Sequence, residues 1–417
     1  MRDAIVIGSG LAGLTAALRL AKGGKTVSLI SKGPGGLQLS QGTFDILGYS
    51  PDRVSDPLDA VGALAKTKPE HPYAVLGADA VREAAEFVAG LVPDLLAGDP
   101  ASNVNLPTAV GAVRPTALAQ PSMIDGAVKD GNAYVVVGLR RLKDFQATLV
   151  AGNLDRAEVP GGGSVSARAV WIDVPARPEE ADTTGLTYAR ALDDPNVRAT
   201  FAKAVAKQAN AGEIVVLPGV LGLDDHDAWR DIAQIVDHPV CEVPLPPPGV
   251  PGLRLFRTLS ALARDAGVRM INGSKVIAKR VEGDRVVSVS ISSAGHAREY
   301  EASAFVFAPG GFESGALAVD SYGHITEPAL GLPLSHDSAE GLIHGDFWGS
   351  DQALFEVGVR VDQSMRVLGP DSAPVYSNLF AAGGILAGAT RWREKSGEGI
   401  AAASALRAAD TILGEEK

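Results

Sequence analysis

Gly8, Gly10 and Gly13 stand in the spacing G-x-G-x-x-G inside AIVIGSGLAGLTAALRLA, residues 4–21. That spacing is suited to a phosphate. Gly8 allows a tight turn, Gly10 lets a phosphate approach the backbone, and Gly13 lets the next helix pack close to the preceding strand. The backbone at Leu11, Ala12 and Gly13 opens a helix whose N–H groups and positive dipole end receive an anion. The glycines alone are weak evidence, and their surroundings strengthen it. A β-branched run precedes them, Leu11, Leu14, Leu18 and Leu20 follow at helical spacing, and a second strand, TVSLIS at 26–31, comes next.

At the end of that second strand, NAD and FAD proteins place an Asp or Glu on the ribose hydroxyls of the adenosine half. This chain has Ser31 followed by Lys32. Serine forms hydrogen bonds without bringing charge, and lysine suits a phosphate better than a diol. From the residues alone, the ribose finds another partner, or the ligand carries a 2′-phosphate, which usually brings an arginine. The glycine-rich stretch 33–48 follows with Ser40, Gln41, Gly42, Thr43 and Asp45. Such a loop either connects two elements or lays backbone N–H groups along a planar ring.

The elements that position these residues lie far apart in the chain. Residues 51–252 read as inserted material, with helices near 78–97 and 196–211, strands at 134–138 and 213–219, and a stiff proline-rich crossing at 244–252. From 253 an amphipathic helix leads into a β-meander over 275–305, ending at FVFAPGG with Gly310 and Gly311. A late strand and glycine turn, VYSNLFAAGGILAG, carries Gly383 and Gly384. A last helix begins around Gly397, Gly399 and Ile400. The expected fold class is α/β: a Rossmann-like domain from 1–50 plus 253–417, with a large inserted α+β domain over 51–252.

Composition narrows the function. The chain has 417 residues, 46% of them hydrophobic, with 48 Gly and 26 Pro, as expected of an α/β enzyme with many turns. A net charge of −11 argues against nucleic acid as a partner. The one cysteine, Cys241, can form neither an internal disulfide nor a four-thiolate iron–sulfur site. No apolar run reaches about 18 residues, so a cytoplasmic location is expected. No metal site is expected.

The arrangement resembles the two-domain flavoproteins of the glutathione-reductase and fumarate-reductase type. The likeness rests on IVIGSGLAGLTAAL, FVFAPGG and LFAAG followed by GEGIAAASAL. In that superfamily the last helix N-terminus stabilises the electron-rich pyrimidine end of the flavin, and the resemblance carries this role to Gly399 and Ile400. A closer likeness, along nearly the whole chain, is to the B-subunit family of anaerobic glycerol-3-phosphate dehydrogenase. It rests on LSQGTFDIL (39–47), HPYAVLG (71–77), LKDFQATLVA (142–151) and EPALGL (327–332). The resemblance implies an FMN-containing subunit, with FAD as the alternative. It implies two partners in one complex, a catalytic FAD subunit together with a membrane-associated iron–sulfur subunit, which would hold the chain at the inner face of the membrane. It also implies oxidation of sn-glycerol 3-phosphate to dihydroxyacetone phosphate, with electrons passing to quinone. FMN has one phosphate and no adenosine ribose, so Ser31-Lys32 becomes an expected departure. Gly384 and Pro309 depart from the acid and threonine common in the superfamily.

No catalytic residue is assigned. His336, His344, Arg391 and Arg393 fall on the C-terminal side where the flavin half closes, and no pair among them has diagnostic spacing. Two other readings stand beside the relay subunit: a self-sufficient FAD-dependent oxidoreductase of fumarate-reductase-like type, and a flavin fold that has lost its cofactor.

Overall fold

A computed structural model describes every residue except Ala294, Gly295, Phe347 and 415–417. The chain divides into two compact units: Met1–Gly36, Asp45–Leu91 and Thr258–Lys417 form one, and Leu37–Phe44 with Val92–Arg257 form the other.

In the first unit, Arg2–Ile7 lies inside a parallel sheet between Val27–Ser31 and the long strand His296–Phe307. Ala4, Ile5 and Val6 are wholly buried, because a parallel strand in mid-sheet is covered on both faces. Arg269–Asn272 extends the sheet beyond Val27–Ser31, and Leu379–Ala381 pairs in parallel with the end of His296–Phe307. That long strand has two roles. Its first half pairs antiparallel with Arg285–Ser293, which pairs with Lys275–Glu282, giving the meander read from the sequence. Its second half joins the parallel sheet.

The helices Leu11–Lys22 and Gly397–Gly414 pack together. The buried alanines 402, 403, 405, 408 and 409 of the later helix let it approach closely, and Arg19 Nε meets Asp410 Oδ1 at 2.6 Å. Pro72–Leu91 packs on the same late helix, and Pro57–Thr67 on Pro72–Leu91. Residues 51–91 therefore fold with the first unit and not with the insertion. The apolar face of Pro72–Leu91 is covered by a helix more than 300 residues later in sequence, which local periodicity does not reveal.

The second unit mixes helices with both kinds of strand pairing: Val104–Pro107 with Val113–Thr116 and Ala97–Gly98 with Leu118–Ala119 are antiparallel, and beside them lies a four-stranded sheet. Its strands Val240–Val243, Glu213–Pro218, Ala133–Leu139 and Ser166–Ile172 lie in that spatial order, and every pairing is parallel. Helices Ala147–Leu154, Gly185–Leu192, Pro195–Ala206 and Ala228–Val236 fall between them in the chain. Tyr134, Phe145, Tyr188 and Phe201 fill its core. Cys241 is wholly buried there, and burial pushes its thiol up, so it behaves as a small hydrophobe.

Candidate flavin site

Three turns meet at the carboxyl ends of Arg2–Ile7, His296–Phe307 and Leu379–Ala381, where open parallel sheets bind ligands. The first holds the glycine triad. Gly8 has φ +110°, and a Cβ there would lie 2.0 Å from the Ala308 carbonyl oxygen, so the first two turns touch through backbone. A Cβ on Gly13 would lie 1.9 Å from the Gly8 carbonyl oxygen. Gly10 differs: it has ordinary extended angles, φ −72° and ψ −174°, and a Cβ there would meet nothing within 4 Å. Gly10 is the N-cap of helix Leu11–Lys22, with no side-chain cap and no acid in the first turn. Open space over an uncapped helix N-terminus fits a phosphate.

The other two turns close on this one. A Cβ on Gly383 would lie 2.9 Å from the Ala12 side chain, and the Gly383 N–H donates to Ser404 Oγ at 2.9 Å. Gly311 and Gly384 face each other, a Gly311 Cβ falling 3.0 Å from the Gly384 carbonyl oxygen. Arg391 lies against both, its Nη2 being 2.9 Å and 3.2 Å from the Cβ positions of Gly311 and Gly384. It is bonded at 3.3 Å to Glu313 Oε1, which also accepts the Gly311 N–H. Gly310 completes that turn beside Ser314, whose hydroxyl donates to the Pro309 carbonyl at 2.7 Å.

At the end of the second strand, Ser31 is buried and its hydroxyl donates to Asn272 Oδ1 at 3.0 Å. Sequence reading misses Asn272, which arrives through strand pairing opposite Ser31. Lys32 is exposed. Ser31 thus takes the strand-end position where an adenosine ribose is usually held by a carboxylate.

The last helix departs from expectation. The Gly399 N–H donates to the Asp45 carbonyl at 2.9 Å and that of Ile400 to the Ser396 carbonyl at 3.0 Å, so neither donor remains for a flavin ring. Segment 45–49 is tied across this helix start: the N–H groups of Gly48 and Tyr49 donate to the Glu394 carbonyl, and Tyr73 donates its hydroxyl to the Ile46 carbonyl. Burial pushes the Tyr73 phenol well above its usual range. Gly397 opens the same helix.

Beneath it lies a buried polar cluster, of which the sequence shows only the run HPYAVLG. His71 Nδ1 accepts the Tyr73 N–H at 3.1 Å, which assigns the ring proton to Nε2, 3.0 Å from Glu394 Oε2. Ser396 Oγ also donates to Glu394 Oε2, at 3.0 Å, and Lys68 Nζ stands 3.5 Å from Oε1. Burial alone would raise the Glu394 carboxyl; the His71 and Ser396 bonds and the Lys68 charge outweigh it and hold the carboxyl below its ordinary value.

Ser40, Gln41 and Gly42 belong to the second unit and are pinned within it. Ser40 Oγ accepts the Gly42 N–H at 3.2 Å, and Gln41 Oε1 accepts from Arg114 Nη1 at 2.6 Å. A Cβ on Gly42 would lie 2.5 Å from Pro251 and 2.6 Å from Gln120 Nε2. Gln120 in turn is held by Arg254, which forms a buried ion pair with Glu242 at 2.8 Å. Ser122 Oγ and the Leu221 N–H, each 2.6 Å away, complete the Glu242 carboxylate. His336 is exposed, while His344 bonds the Ser350 carbonyl at 2.9 Å.

Residues 3–400 match the family described as an FAD binding domain. The B subunit of the anaerobic glycerol-3-phosphate dehydrogenase of Pectobacterium atrosepticum is 31% identical over 443 residues, covering 99% of each chain. The chain belongs to this B-subunit family. A probable member from Halobacterium salinarum is 33% identical over 421 residues, covering 97% of this chain and 96% of the relative. Among solved structures, a 3-ketosteroid Δ1-dehydrogenase from Sterolibacterium denitrificans gives a TM-score of 0.47 at 13% identity, covering 99% of each chain. As a member of the B-subunit family, the chain is a flavin-dependent oxidoreductase. The glycine triad, with the turns at 310–311 and 383–384, is where its own geometry fits a flavin.

Proposed function

We propose that this chain is the FMN-containing subunit of an anaerobic glycerol-3-phosphate dehydrogenase, oxidising sn-glycerol 3-phosphate to dihydroxyacetone phosphate within a complex. It has two partners there. One is the catalytic FAD subunit, and the other is a membrane-associated iron–sulfur subunit through which electrons reach quinone. The names of full-length relatives support the reaction class. One observation supports FMN: the phosphate loop is intact, while Ser31, bonded to Asn272, stands where an adenosine ribose needs a carboxylate.

In this reading Gly10 and the N–H groups opening helix Leu11–Lys22 hold the single phosphate of FMN, and Gly8 and Gly13 fix the loop that presents them. Gly310, Gly311, Gly383 and Gly384 let the second and third turns close on each other and on the phosphate loop, forming the floor beneath the ring system. Arg391, clamped by Glu313, brings a cation to that floor. The flavin supplies two-electron acceptance when bound. The protein's part is to orient it and to set the charge around it.

The test is to denature the purified protein and chromatograph the released flavin. FMN near one per chain is expected. FAD in that amount overturns the FMN assignment and favours the self-sufficient FAD-dependent reading, consistent with the family's description.

A further inference from the structure

In the second unit the chain winds from Ala133–Leu139 to Ser166–Ile172 on one side, then back to Glu213–Pro218 on the other. In a parallel sheet wound this way, the loops leaving the first and third strands part in opposite directions. The gap outside their carboxyl ends is the usual place for a ligand. The loop leaving the first strand reads Arg140-Arg141-Leu142-Lys143, three cations in four residues.

Across that loop lies the segment that follows the second strand. It carries Asp173, Glu179, Glu180 and Asp182, with a single cation, Arg177. Arg141 Nε donates to Asp173 Oδ1 at 2.7 Å and Arg141 Nη1 to the Glu180 carbonyl at 2.5 Å. Lys143 Nζ lies 2.5 Å from Asp182 Oδ2, and the Thr183 N–H donates to the Arg141 carbonyl at 2.9 Å. An acidic strap thus sits on a basic loop.

The strap is anchored at its start, where the Val174 carbonyl accepts the Tyr188 hydroxyl at 2.8 Å and Val174 and Ala176 pack on the core, and its charged contacts with the loop are weak and under strain. Its ion pairs are open to solvent, the Lys143 and Asp182 side chains being 74% and 51% exposed, and pairs of that kind are weak. Glu179 has φ +63°, a left-handed conformation that residues with side chains rarely adopt. Glu180 Oε2 and Thr183 Oγ1 are buried without a hydrogen-bond partner among the described residues, and Thr183 is only 8% exposed. Buried polar atoms left unpaired oppose the arrangement that buries them.

We propose that the Arg140–Lys143 loop is a binding site for a phosphate monoester and that the acidic strap 173–184 is its built-in competitor. Lifting the strap releases Arg141 Nε and Nη1, two N–H donors on the planar fork that matches phosphate oxygens, with Arg140 and Lys143 adding charge for a dianion. The strap's carboxylates occupy the loop when no phosphate does. The proposal is independent of which flavin the first unit holds.

The flavin-loaded, full-length protein is titrated calorimetrically with inorganic phosphate, sn-glycerol 3-phosphate and AMP in separate arms. Asp173 and Asp182 are about half exposed, so Asp173→Asn with Asp182→Asn leaves the fold intact. That double variant is expected to bind phosphate more tightly, by about 3-fold or more for two exposed pairs removed. Arg140→Ala with Lys143→Ala is expected to weaken binding by a similar factor. Hydrogen exchange of amides 173–184 is expected to speed up when phosphate is added to the parent. Equal binding of all three compounds means that the site reads phosphate alone; preference for one names its source. Affinity unchanged in both double variants, or strap exchange unmoved by saturating phosphate, overturns the proposal.

Discussion

Gly8, Gly10 and Gly13 form one motif but have different constraints. Gly8 and Gly13 are fixed by their own protein, since a Cβ at either would sit about 2 Å from a backbone carbonyl oxygen. Gly10 has backbone angles open to any residue and faces empty space. A side chain at Gly10 therefore loses no glycine-only conformation, and bulk toward the ligand is its one effect. Gly10→Val is expected to keep the parent's thermal midpoint and lose flavin occupancy by about tenfold or more, at least about 1.4 kcal/mol of binding. Gly13→Ala is expected to destabilise the fold itself by roughly 1–3 kcal/mol, the range for forced overpacking. Flavin absorbance and denaturant unfolding of the two variants separate these effects. If Gly10→Val retains full flavin, the phosphate does not sit at this loop.

Among the elements, helix Gly397–Gly414 depends on what is packed at its start. Glu394 collects His71, Ser396 and Lys68, and Tyr73 ties segment 45–49 to the same end. The Glu394 carboxyl is held below its ordinary value when folded, so the unfolded chain binds that proton more readily. Its stabilising contribution is therefore present above about pH 4.5 and is lost as pH falls through the lowered folded value. The thermal midpoint of the parent is expected to drop more steeply below that pH than that of Glu394→Gln, which already lacks the charge. Parallel curves would show that this carboxylate does not carry the acid sensitivity.

The same elements show what the sequence could reveal. The strand, glycine turn and helix over 4–31 are readable because every signal is local: a β-branched run, fixed glycine spacing, then leucines at helical period. The meander is readable from its β-branched runs and the turn near 283. Asn272 beside Ser31, and Asp45 capturing the Gly399 N–H, come from strands and loops hundreds of residues apart, and no spacing encodes them. The parallel sheet of the second unit escapes the sequence for a related reason. Short, fully buried strands such as Ala133–Leu139 show no alternation, so nothing in their pattern states the direction of their neighbours.

For the whole molecule, the question is where the electrons go. The chain has one cysteine, wholly buried, which cannot ligate a four-thiolate cluster. Among the described residues, no helix is long and apolar enough to cross a membrane. The proposed function makes quinone the final acceptor and another protein the carrier that brings the electrons to it. Under the proposed function that protein is the iron–sulfur subunit, while the catalytic FAD subunit delivers electrons from the substrate. Glycerol-3-phosphate-dependent quinone reduction is therefore expected only when this chain is assembled with both neighbours and is expected to be absent, within detection, for the flavin-loaded chain alone. The measurement is quinone reduction by the isolated chain, by the pair lacking it and by the full assembly, all at equal flavin content. Full activity of the isolated chain would make it a self-sufficient dehydrogenase. Full activity of the pair without it would remove it from the electron path. Activity confined to the assembly leaves the relay as the role that accounts for both results.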